Sequence, residues 1–479
     1  MALVGSGVSL SALGGLTPLS WATKGGHEAV VQILLERDNV NPNIADRYGS
    51  TPLLIAARKG YEGIVKLLLE RNDVNPNIAD RHGETPLVIA ARKRHEGVMK
   101  MLLERNDVNP NTRDRYGIPQ LHRAASEGNE GVVKMLLERW DVNPNTANKY
   151  GETPLNMAAH VGHEGVVKVL LGRNDVNPNT RDRYGKTPLW GAACGGHEGV
   201  MKMLLERNDI NPDTADGQGQ TPLFVAAWQG REEVVKILLE RNDVNPNTAD
   251  KYGETPLFMA AWTGGEGVVK MLLERWDVNP NTANRFGKTP LLVALSNGHW
   301  GIVKMLLELS HVNPNTADDN GQTPLFITAR AGDEGILKML LGRNDVNPNT
   351  ADKDGEAPLF MAARVGHEGI VKMLLERWDV NPNTANVFGK TSLIVACSNG
   401  HWGIVKMLLE RADTNSDMTD IVGKTALSEA QEYRYDSIVK LLSEHRNSIP
   451  PLAVDKFTAP SSQELSNPDQ CPSKRTHKL

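Results

Sequence analysis

Four Gly-Lys-Thr strings are the residues of this chain whose types best suit phosphate chemistry. They begin at Gly185, Gly287, Gly389 and Gly423. A phosphate-binding P-loop ends in this way, but it also has a glycine five residues before its last glycine, which lets backbone amides surround the phosphates. The corresponding positions hold Thr180, Thr282, Thr384 and Met418. The pattern therefore does not predict nucleotide binding.

Histidine followed by glutamate is a second recurring pair, one that could bind zinc. It occurs at His27, His95, His163, His197 and His367. A metalloprotease helix needs a second histidine four residues after the first, and none of these pairs has one. The glutamate fits the start of a helix, where negative charge interacts favourably with the helix dipole. No Ser/His/Asp or Cys/His set stands out, so we expect no enzymatic activity, metal or cofactor.

The composition limits the remaining classes of function. The chain has 479 residues, a net charge of -5 and a pI of about 6.3, which is not the profile of a polyanion-binding protein. Cys194, Cys397 and Cys471 are far apart and form no metal or disulfide framework, which favours a reducing compartment. No apolar run is long enough to span a membrane. We expect a cytoplasmic protein, with a nuclear location left open, and no membrane partner.

The dominant feature is the string Thr-Pro-Leu, which recurs with a period of 34 residues. Complete copies begin at Thr17, Thr51, Thr85, Thr153, Thr187, Thr221, Thr255, Thr289 and Thr323. Degenerate copies keep the phase at Pro119, Ala357, Thr391 and Thr425, which makes thirteen copies in all. Such a period is typical of a solenoid, in which each unit is too small for its own core and buries its apolar face on its neighbours.

Residues 250–283 show what one unit encodes. Asp250 followed by Gly253 indicates a turn, and Thr255 followed by Pro256 indicates the N-cap and first position of a helix. A glycine at 264 can end that helix in a left-handed conformation. A second helix is predicted over 266–275, and the Asn-Pro-Asn that follows stops it. Each unit is thus a turn, two helices and an extended loop.

This order of residues, Asp-x-x-Gly-x-Thr-Pro-Leu-x-x-Ala-Ala-x-x-Gly-His followed by Val-Val-Lys-x-Leu-Leu, resembles the ankyrin repeat. The resemblance implies an all-α ankyrin-repeat solenoid of about thirteen helix-turn-helix repeats joined by β-turn or hairpin loops. It covers residues 12–445, after a short lead at 1–11 and before a tail at 446–479 that we expect to be disordered. The repeats start near residues 12, 46, 80, 114, 148, 182, 216, 250, 284, 318, 352, 386 and 420.

Departures from the family pattern lead to four structural expectations. The slot after Thr-Pro-Leu, a histidine in the family, is histidine only at His122 and elsewhere mostly apolar, so we expect an apolar core there. Repeat 4 has Pro119 in the N-cap slot, which predicts a weak point. Asn72 and Asn242 follow second helices and suit a left-handed cap. The same slot holds a second tryptophan set, for which packing between repeats is expected: Trp140, Trp276 and Trp378.

The turn tips carry a recurring basic-aromatic pair, which is one candidate binding feature. The pairs are Arg47-Tyr48, Arg81-His82, Arg115-Tyr116, Lys149-Tyr150, Arg183-Tyr184, Lys251-Tyr252 and Arg285-Phe286. The resemblance implies that tips and first helices line a concave face that binds a protein partner. Tyrosine and arginine are enriched in binding hot spots. Duplication of one serviceable turn explains the same similarity, so both interpretations stay open.

One position in the first helix varies more than the tips and is therefore more informative. It holds Trp228 and Trp262 in adjacent repeats, and Arg330 and Arg364 further along. If this helix position faces the groove, the two tryptophans form an aromatic patch beside Tyr252. Exposed tryptophans are costly unless they bind a partner, so such a patch would indicate a binding site. The alternative is that the two rings fold onto a neighbouring helix.

The sequence therefore predicts a non-enzymatic scaffold that binds a protein partner along the concave face. The duplicated repeats and Asn-Pro-Asn loops also resemble the sensor arrays of fungal immune-type receptors, here without the nucleotide-binding domain. Nucleic-acid binding through the basic-aromatic tips is a further alternative, against which the net charge of -5 argues. The last alternative is that the array is a purely structural spacer.

Overall fold

The computed structural model describes residues 16–114 and 116–448, and in this part of the chain 26 helices form thirteen successive pairs. The first helices are α1 Pro18–Lys24, α3 Pro52–Lys59, α5 Pro86–Lys93, α7 Gln120–Ser126, α9 Pro154–Val161, α11 Pro188–Gly195, α13 Pro222–Trp228, α15 Pro256–Thr263, α17 Pro290–Asn297, α19 Pro324–Ala331, α21 Pro358–Val365, α23 Ser392–Ser398 and α25 Ala426–Glu432.

The second helices follow after a short turn in each repeat. They are α2 Glu28–Leu35, α4 Glu62–Leu69, α6 Glu96–Leu103, α8 Glu130–Leu137, α10 Glu164–Leu171, α12 Glu198–Leu205, α14 Glu232–Leu239, α16 Glu266–Glu274, α18 Trp300–Leu307, α20 Glu334–Leu341, α22 Glu368–Leu375, α24 Trp402–Glu410 and α26 Asp436–Ser448. Each helix packs on its counterpart in the next repeat, which makes an all-α helical-repeat solenoid.

The thirteen repeats occupy most of the described chain, and the array boundaries at 12 and 445 stay a prediction. Helix α26 continues to Ser448, into the segment predicted to be the tail. The lead at 1–11 and the rest of the tail lie outside the described residues. No helix in 16–114 or 116–448 is long and apolar enough to cross a membrane.

The first helix of a repeat begins and ends at its capping residues. The Thr255 hydroxyl accepts a hydrogen bond from the Phe258 amide at 3.2 Å, and Pro256 occupies the first helical position, where no amide hydrogen is needed. Gly264 ends the helix with φ of 82°, in the left-handed region that favours glycine. The predicted start and stop signals of this helix are therefore confirmed.

The core runs between neighbouring repeats without interruption. The slot after Thr-Pro-Leu is buried wherever it is apolar, and the predicted apolar core is confirmed at Leu54, Val88, Trp190, Phe224, Phe258, Phe326 and Phe360. Ala260 and Ala261 on the same helix are fully buried, and their small size lets adjacent helices approach closely. Each repeat thus contributes one wall to a core that only its neighbours complete.

An arginine at the end of most second helices joins the helix to the preceding repeat. Arg275 forms a bidentate ion pair with Asp277, at 2.9 and 2.6 Å, and donates to the carbonyls of Leu239 and Arg241, both at 3.1 Å. Those carbonyls end the second helix of the repeat before, where four C=O groups lack a partner within the helix. The Arg-x-Asp pair, hereafter the clamp, recurs in ten repeats.

The loops after the second helices are joined by asparagine side chains. The Asn247 amide donates to the carbonyl of Asp277 at 2.6 Å, and its oxygen accepts from the backbone amide of Asn279 at 2.8 Å. The same pair of bonds joins Asn77 to the next loop. The Asn-Pro-Asn string therefore does more than stop a helix, because its second asparagine connects adjacent repeats.

Two expectations about the slot after the second helix are wrong. Asn72 and Asn242 are not left-handed: among the described residues other than glycine, only Arg94 and Arg434 have positive φ. The tryptophans in this slot do not pack between repeats, because the clamp already fills that interface. Trp140, Trp276 and Trp378 are 91%, 95% and 90% exposed, respectively.

Repeat 4 differs from its neighbours as its sequence indicates. Pro119 takes the N-cap position of α7 and caps no amide. The buried Gln120 amide has no hydrogen-bond partner for either its nitrogen or its oxygen. Buried polar atoms without partners cost free energy. Lower stability of this repeat stays a prediction, and amide hydrogen exchange of α7 faster than that of α5 and α9 would support it.

Acid should destabilise the protein through His122, which is buried and bonded by Nε2 to the Glu152 carbonyl oxygen at 3.0 Å. Burial lowers the pKa of His122 from 6.5 to about 4. The unfolded chain therefore takes up a proton between these pH values that the folded chain does not, so stability falls as the pH is lowered through this window. His122→Phe, which places in repeat 4 the residue found at Phe224, should remove about 2 kcal/mol of this dependence.

The measurement is the urea midpoint of both proteins at pH 7, 5.5 and 4.5. Carboxylate titration elsewhere affects both proteins equally, so the difference between the two profiles isolates His122. Parallel profiles would contradict the prediction.

Repeat 11 lacks a capping hydroxyl, because Ala357 stands where every repeat other than repeat 4 has threonine, and α21 forms without a side-chain cap. Ala357→Thr should stabilise this repeat by about 1 kcal/mol, since the backbone already has the extended N-cap conformation. Ala357→Val adds a similar volume without the oxygen and is the matched control. Hydrogen exchange of α21 amides should slow in the threonine variant alone; equal slowing in both variants would mean that packing, not capping, is responsible.

Repeat 9 lacks the clamp, because Leu309 and His311 replace its arginine and aspartate. Leu309→Arg with His311→Asp should let the guanidinium reach the carbonyls of Leu273 and Arg275. We expect about 1 kcal/mol of stabilisation at this junction, the typical net value of such hydrogen bonds. Leu309→Arg alone is the control, since it has no carboxylate to orient it. Urea unfolding monitored at Trp300 should shift most in the double variant, and a shift no larger than the control's would disprove the role of the pair.

Candidate functional site

The turn tips of the described repeats from repeat 2 onward share one construction. Oδ1 of Asp250 accepts from the backbone amides of Tyr252 at 2.8 Å and Glu254 at 3.0 Å, and Gly253 between them has φ of 78°. The residues before the glycine therefore project from the tip. The Gly-Lys-Thr strings fall in this turn: Gly287 is the left-handed tip glycine and Thr289 is the next N-cap. These strings are structural.

Adjacent tips bond to one another along one edge of the solenoid. The Arg285 amide donates to the Tyr252 carbonyl at 2.9 Å, and the Arg81 amide donates to the Tyr48 carbonyl at 3.1 Å. One backbone hydrogen bond therefore holds each of these tips to the one before it. The edge is a regular row, and its side chains emerge at fixed intervals.

The basic-aromatic pairs of the tips are largely occupied with one another. Cations of Lys251 and Arg285 lie 4.8 and 4.7 Å from the centre of the Tyr252 ring. Equivalent contacts involve Lys149 and Arg183 with Tyr150, and Arg47 with Tyr48. Each contact contributes about 0.5–1 kcal/mol at an exposed site. The duplicated pair thus has a structural role that needs no ligand.

The remaining predicted tip residues are placed as follows. Tyr116 and Tyr184 are exposed, and Lys186 lies 5.9 Å from the Tyr184 ring. Arg115 lies outside the described residues. Phe286 is the exposed aromatic residue of the repeat 9 tip.

The variable first-helix position faces the surface between helices and tips. Trp228 and Trp262 are 41% and 48% exposed, respectively. The Trp262 ring meets the buried Phe258 ring edge-on, with centres 6.4 Å apart at an angle of 78°. The backbone carbonyl of Trp262 accepts a hydrogen bond from Nε2 of His299 at 2.9 Å. The ring is therefore fixed on one side and open on the other.

Trp262 and Phe286 line a recess of about 510 Å³ between the first helices and tips of repeats 8, 9 and 10. Tip residues Asp318 and Asp319 of repeat 10 form another wall, and Glu254 and Lys288 complete the polar lining. The structure thus groups Trp262 with the tip of the next repeat. The patch with Trp228 and Tyr252 stays a prediction. Burial is the main cause that raises the pKa of Glu254.

The two arginines predicted at the same helix position have partners within their own repeats. Nη1 of Arg364 donates to Oε1 of Glu356 at 2.7 Å, and Nη1 of Arg330 donates to Oε1 of Gln322 at 3.2 Å. The Arg364 charge is therefore balanced in the folded chain, whereas Arg330 keeps its charge beside a neutral amide.

Sequence reasoning missed two features of this surface. One is a second recess of about 480 Å³ in repeats 1 and 2, lined by Trp21 and Tyr48 with Lys24, Arg47 and Arg58. Its signal was a tryptophan in a helix slot that is aliphatic in most repeats. The other is the carboxylate wall of the repeat 8–10 recess. The sequence clue to this wall was that Glu254 and Asp318 occupy positions whose counterparts, Glu356 and Asp80, bond to arginine.

Thiol and metal chemistry receive no support from the geometry. Burial raises the pKa of the Cys397 thiol to about 12, which leaves it inert near neutral pH. Among the described residues, no group of three or more His, Cys, Asp or Glu side chains is arranged to hold a metal ion.

Comparison with protein-family models agrees with the repeat geometry. The model for ankyrin repeats (three copies) matches overlapping segments at residues 2–80, 39–114, 72–148, 121–216, 173–248, 208–284, 242–318, 291–386 and 359–451. The chain belongs to the ankyrin repeat family. Ankyrin repeats are generally protein–protein interaction modules, and their proteins are typically non-enzymatic. No curated protein gives a significant sequence match.

Proposed function

We propose that this ankyrin solenoid is a non-enzymatic scaffold that binds a protein partner along the surface between its first helices and tips. The observation that carries the proposal is the recess of about 510 Å³ with Trp262 and Phe286 half-exposed at its walls. Large aromatic side chains that line a concave site and stay open to solvent are typical of binding hot spots.

The rigidity of the surface supports this role. Trp262 is fixed against Phe258, and the tips are joined by backbone hydrogen bonds. A preformed surface loses little conformational entropy when a partner binds, so more of the contact energy appears as affinity. The variable side chains stand on this constant frame, which suits a binding surface.

Electrostatics favour a protein over a nucleic acid as partner. The Lys and Arg side chains of several tips already contact tyrosine rings within the chain. Carboxylates outnumber cations in the repeat 8–10 recess, and the whole chain has a net charge of -5. Phosphate contacts would give binding a steep salt dependence. We expect partner binding to change little between low and moderate salt.

A narrower form of the proposal is that the array acts as the sensor of a fungal immune-type receptor from which the nucleotide-binding domain is separate. It is supported by the duplication of blocks: residues 296–308 recur unchanged at 398–410, three repeats later. Block duplication lets a binding surface change while its frame is kept. We propose a cytoplasmic location for either role. Co-purification of a nucleotide-binding switch protein with the array would support the sensor role.

Replacing Trp228 and Trp262 with alanine should weaken partner binding by more than about 1 kcal/mol, as hot-spot truncation does. The melting curve should stay nearly unchanged, because both side chains are about half-exposed. The measurement is affinity capture with the intact array, quantified by mass spectrometry, followed by calorimetry on the partner identified.

The matched control is the double variant Trp276→Ala and Trp378→Ala, which removes two exposed tryptophans from a different surface. Retention of the same partner by this control and its loss from the Trp228/Trp262 variant is the expected result. Equal retention by both variants would exclude the first-helix surface as the binding site.

A further inference from the structure

The recess of repeats 8–10 contains a carboxylate with one oxygen uncommitted. Asp318 is only 8% exposed, and its Oδ1 accepts from the amides of Asn320 at 2.9 Å and Gln322 at 3.0 Å. Within the described chain, its Oδ2 takes part in no hydrogen bond or ion pair. Because Asp318 lines the recess, this buried negative charge faces the cavity, and the cation in the described lining is Lys288.

Repeat 3 of the same chain shows an arginine that occupies this place. Asp80 is the turn aspartate of repeat 3, and its Oδ2 accepts from Arg58 of the preceding first helix at 3.0 Å. The residue of repeat 9 that corresponds to Arg58 is Ser296, which is too short to reach Asp318. The arginine that neutralises this aspartate in repeat 3 is thus absent at the recess.

Glu254, the second carboxylate of the recess, also lacks the arginine partner that its counterparts have. In repeat 11 the Glu356 carboxylate accepts from Arg364 at 2.7 Å, and in repeat 3 Glu84 accepts from Arg92 at 2.9 Å. In repeat 8 the arginine slot holds Trp262. Glu254 retains only the amide of Asn284, at 3.2 Å.

The comparison with repeat 11 is close because the two regions are block duplicates, 102 residues apart. Glu254, Phe258, Asn284 and Phe286 have identical counterparts in Glu356, Phe360, Asn386 and Phe388. Among the recess residues, the block comparison shows Trp262 in place of Arg364, and Asp319 and Asn320 in place of Ile421 and Val422. The change at Trp262 removes a guanidinium and adds an aromatic face beside the vacated carboxylate.

We infer that the recess binds the guanidinium group of an arginine side chain carried by the partner, an inference that rests on the function proposed above. A planar guanidinium can bond to a carboxylate by two N–H groups and stack on an aromatic ring at the same time. Asp318, Asp319 and Glu254 supply three negative charges against the one positive charge of Lys288. Trp262 and Phe286 supply the ring faces.

Arginine fits this recess better than lysine for a geometric reason. The bonds that Asp80 and Glu356 accept within this chain come from guanidinium nitrogens, so the same carboxylate positions already have arginine-compatible geometry. A lysine ammonium is a compact and strongly hydrated charge that cannot stack on a ring in the same way.

The test uses the intact chain and two blocked tripeptides, acetyl-Gly-Arg-Gly-amide and its citrulline counterpart, which has nearly the same shape without the charge. Fluorotryptophan labelling gives one ¹⁹F signal for each of the nine tryptophans, and Trp262→Phe assigns the signal of Trp262. We expect the arginine peptide to shift this signal saturably and to bind at least tenfold more tightly than the citrulline peptide. Equal shifts from the two peptides would overturn the inference.

Two variants place an internal arginine in the recess by copying other repeats. Ser296→Arg follows the Arg58–Asp80 pair and keeps Trp262 in place, and Ser296→Gln is its uncharged control. The arginine variant should abolish binding of the peptide, whereas the glutamine variant should keep it within about threefold. Trp262→Arg follows Arg364–Glu356 and should also abolish binding, read by calorimetry. Undiminished arginine binding in both arginine variants would overturn the inference.

Failure of this inference and failure of the proposed function give different results. If the partner is lost from the Trp228/Trp262 variant but the two tripeptides behave alike, the scaffold role stands and the arginine specificity is wrong. If the arginine peptide binds selectively but partner capture does not depend on the tryptophans, the recess recognises arginine and the proposed docking surface is wrong.

Discussion

The clamp between successive second helices is the interaction on which the rest of the structure depends. The carbonyl groups at the end of a helix need donors, and a cation there interacts favourably with the helix dipole. Arg275 meets both needs for the repeat before it, and Asp277 holds its guanidinium in place by two hydrogen bonds. Each repeat therefore completes the one before it, which is the nearest-neighbour coupling expected of a solenoid.

Because the clamp and the asparagine bonds of the loops lie on one side of each repeat, the other side is free to vary. These bonds go largely to backbone atoms, whose positions do not depend on which side chains occupy the first helices. The tips add a similar backbone bond along their own edge. The bonds that join repeats and the recognition surface that we propose thus lie on different sides, so we expect a change such as Trp262 for arginine to alter the recess without weakening the stack.

Features encoded within one repeat could be predicted, and features that join repeats could not. The cap at Thr255 and the stop at Gly264 depend on residues a few positions away, so the sequence pattern identified both. The clamp joins Arg275 to a carbonyl 36 residues earlier, which only the stacking of repeats brings within reach. Packing between repeats was expected for Trp276, whereas the neighbouring Arg275 makes the contact with the preceding repeat and Trp276 stays exposed.

The same distinction explains why the tryptophans were found and their surroundings were not. Variation at one helix position was visible in the sequence, but the carboxylates near it belong to the tips of its own and later repeats. Duplication explains why copies agree, so agreement among the tips carries little information about binding. Where two copies of one block differ, as at Trp262 and Arg364, the unchanged Glu254 and Glu356 act as internal references. One carboxylate keeps its arginine, and the other faces an open recess beside an aromatic wall. From that difference we infer that the recess is the part of the surface with the most specific recognition chemistry.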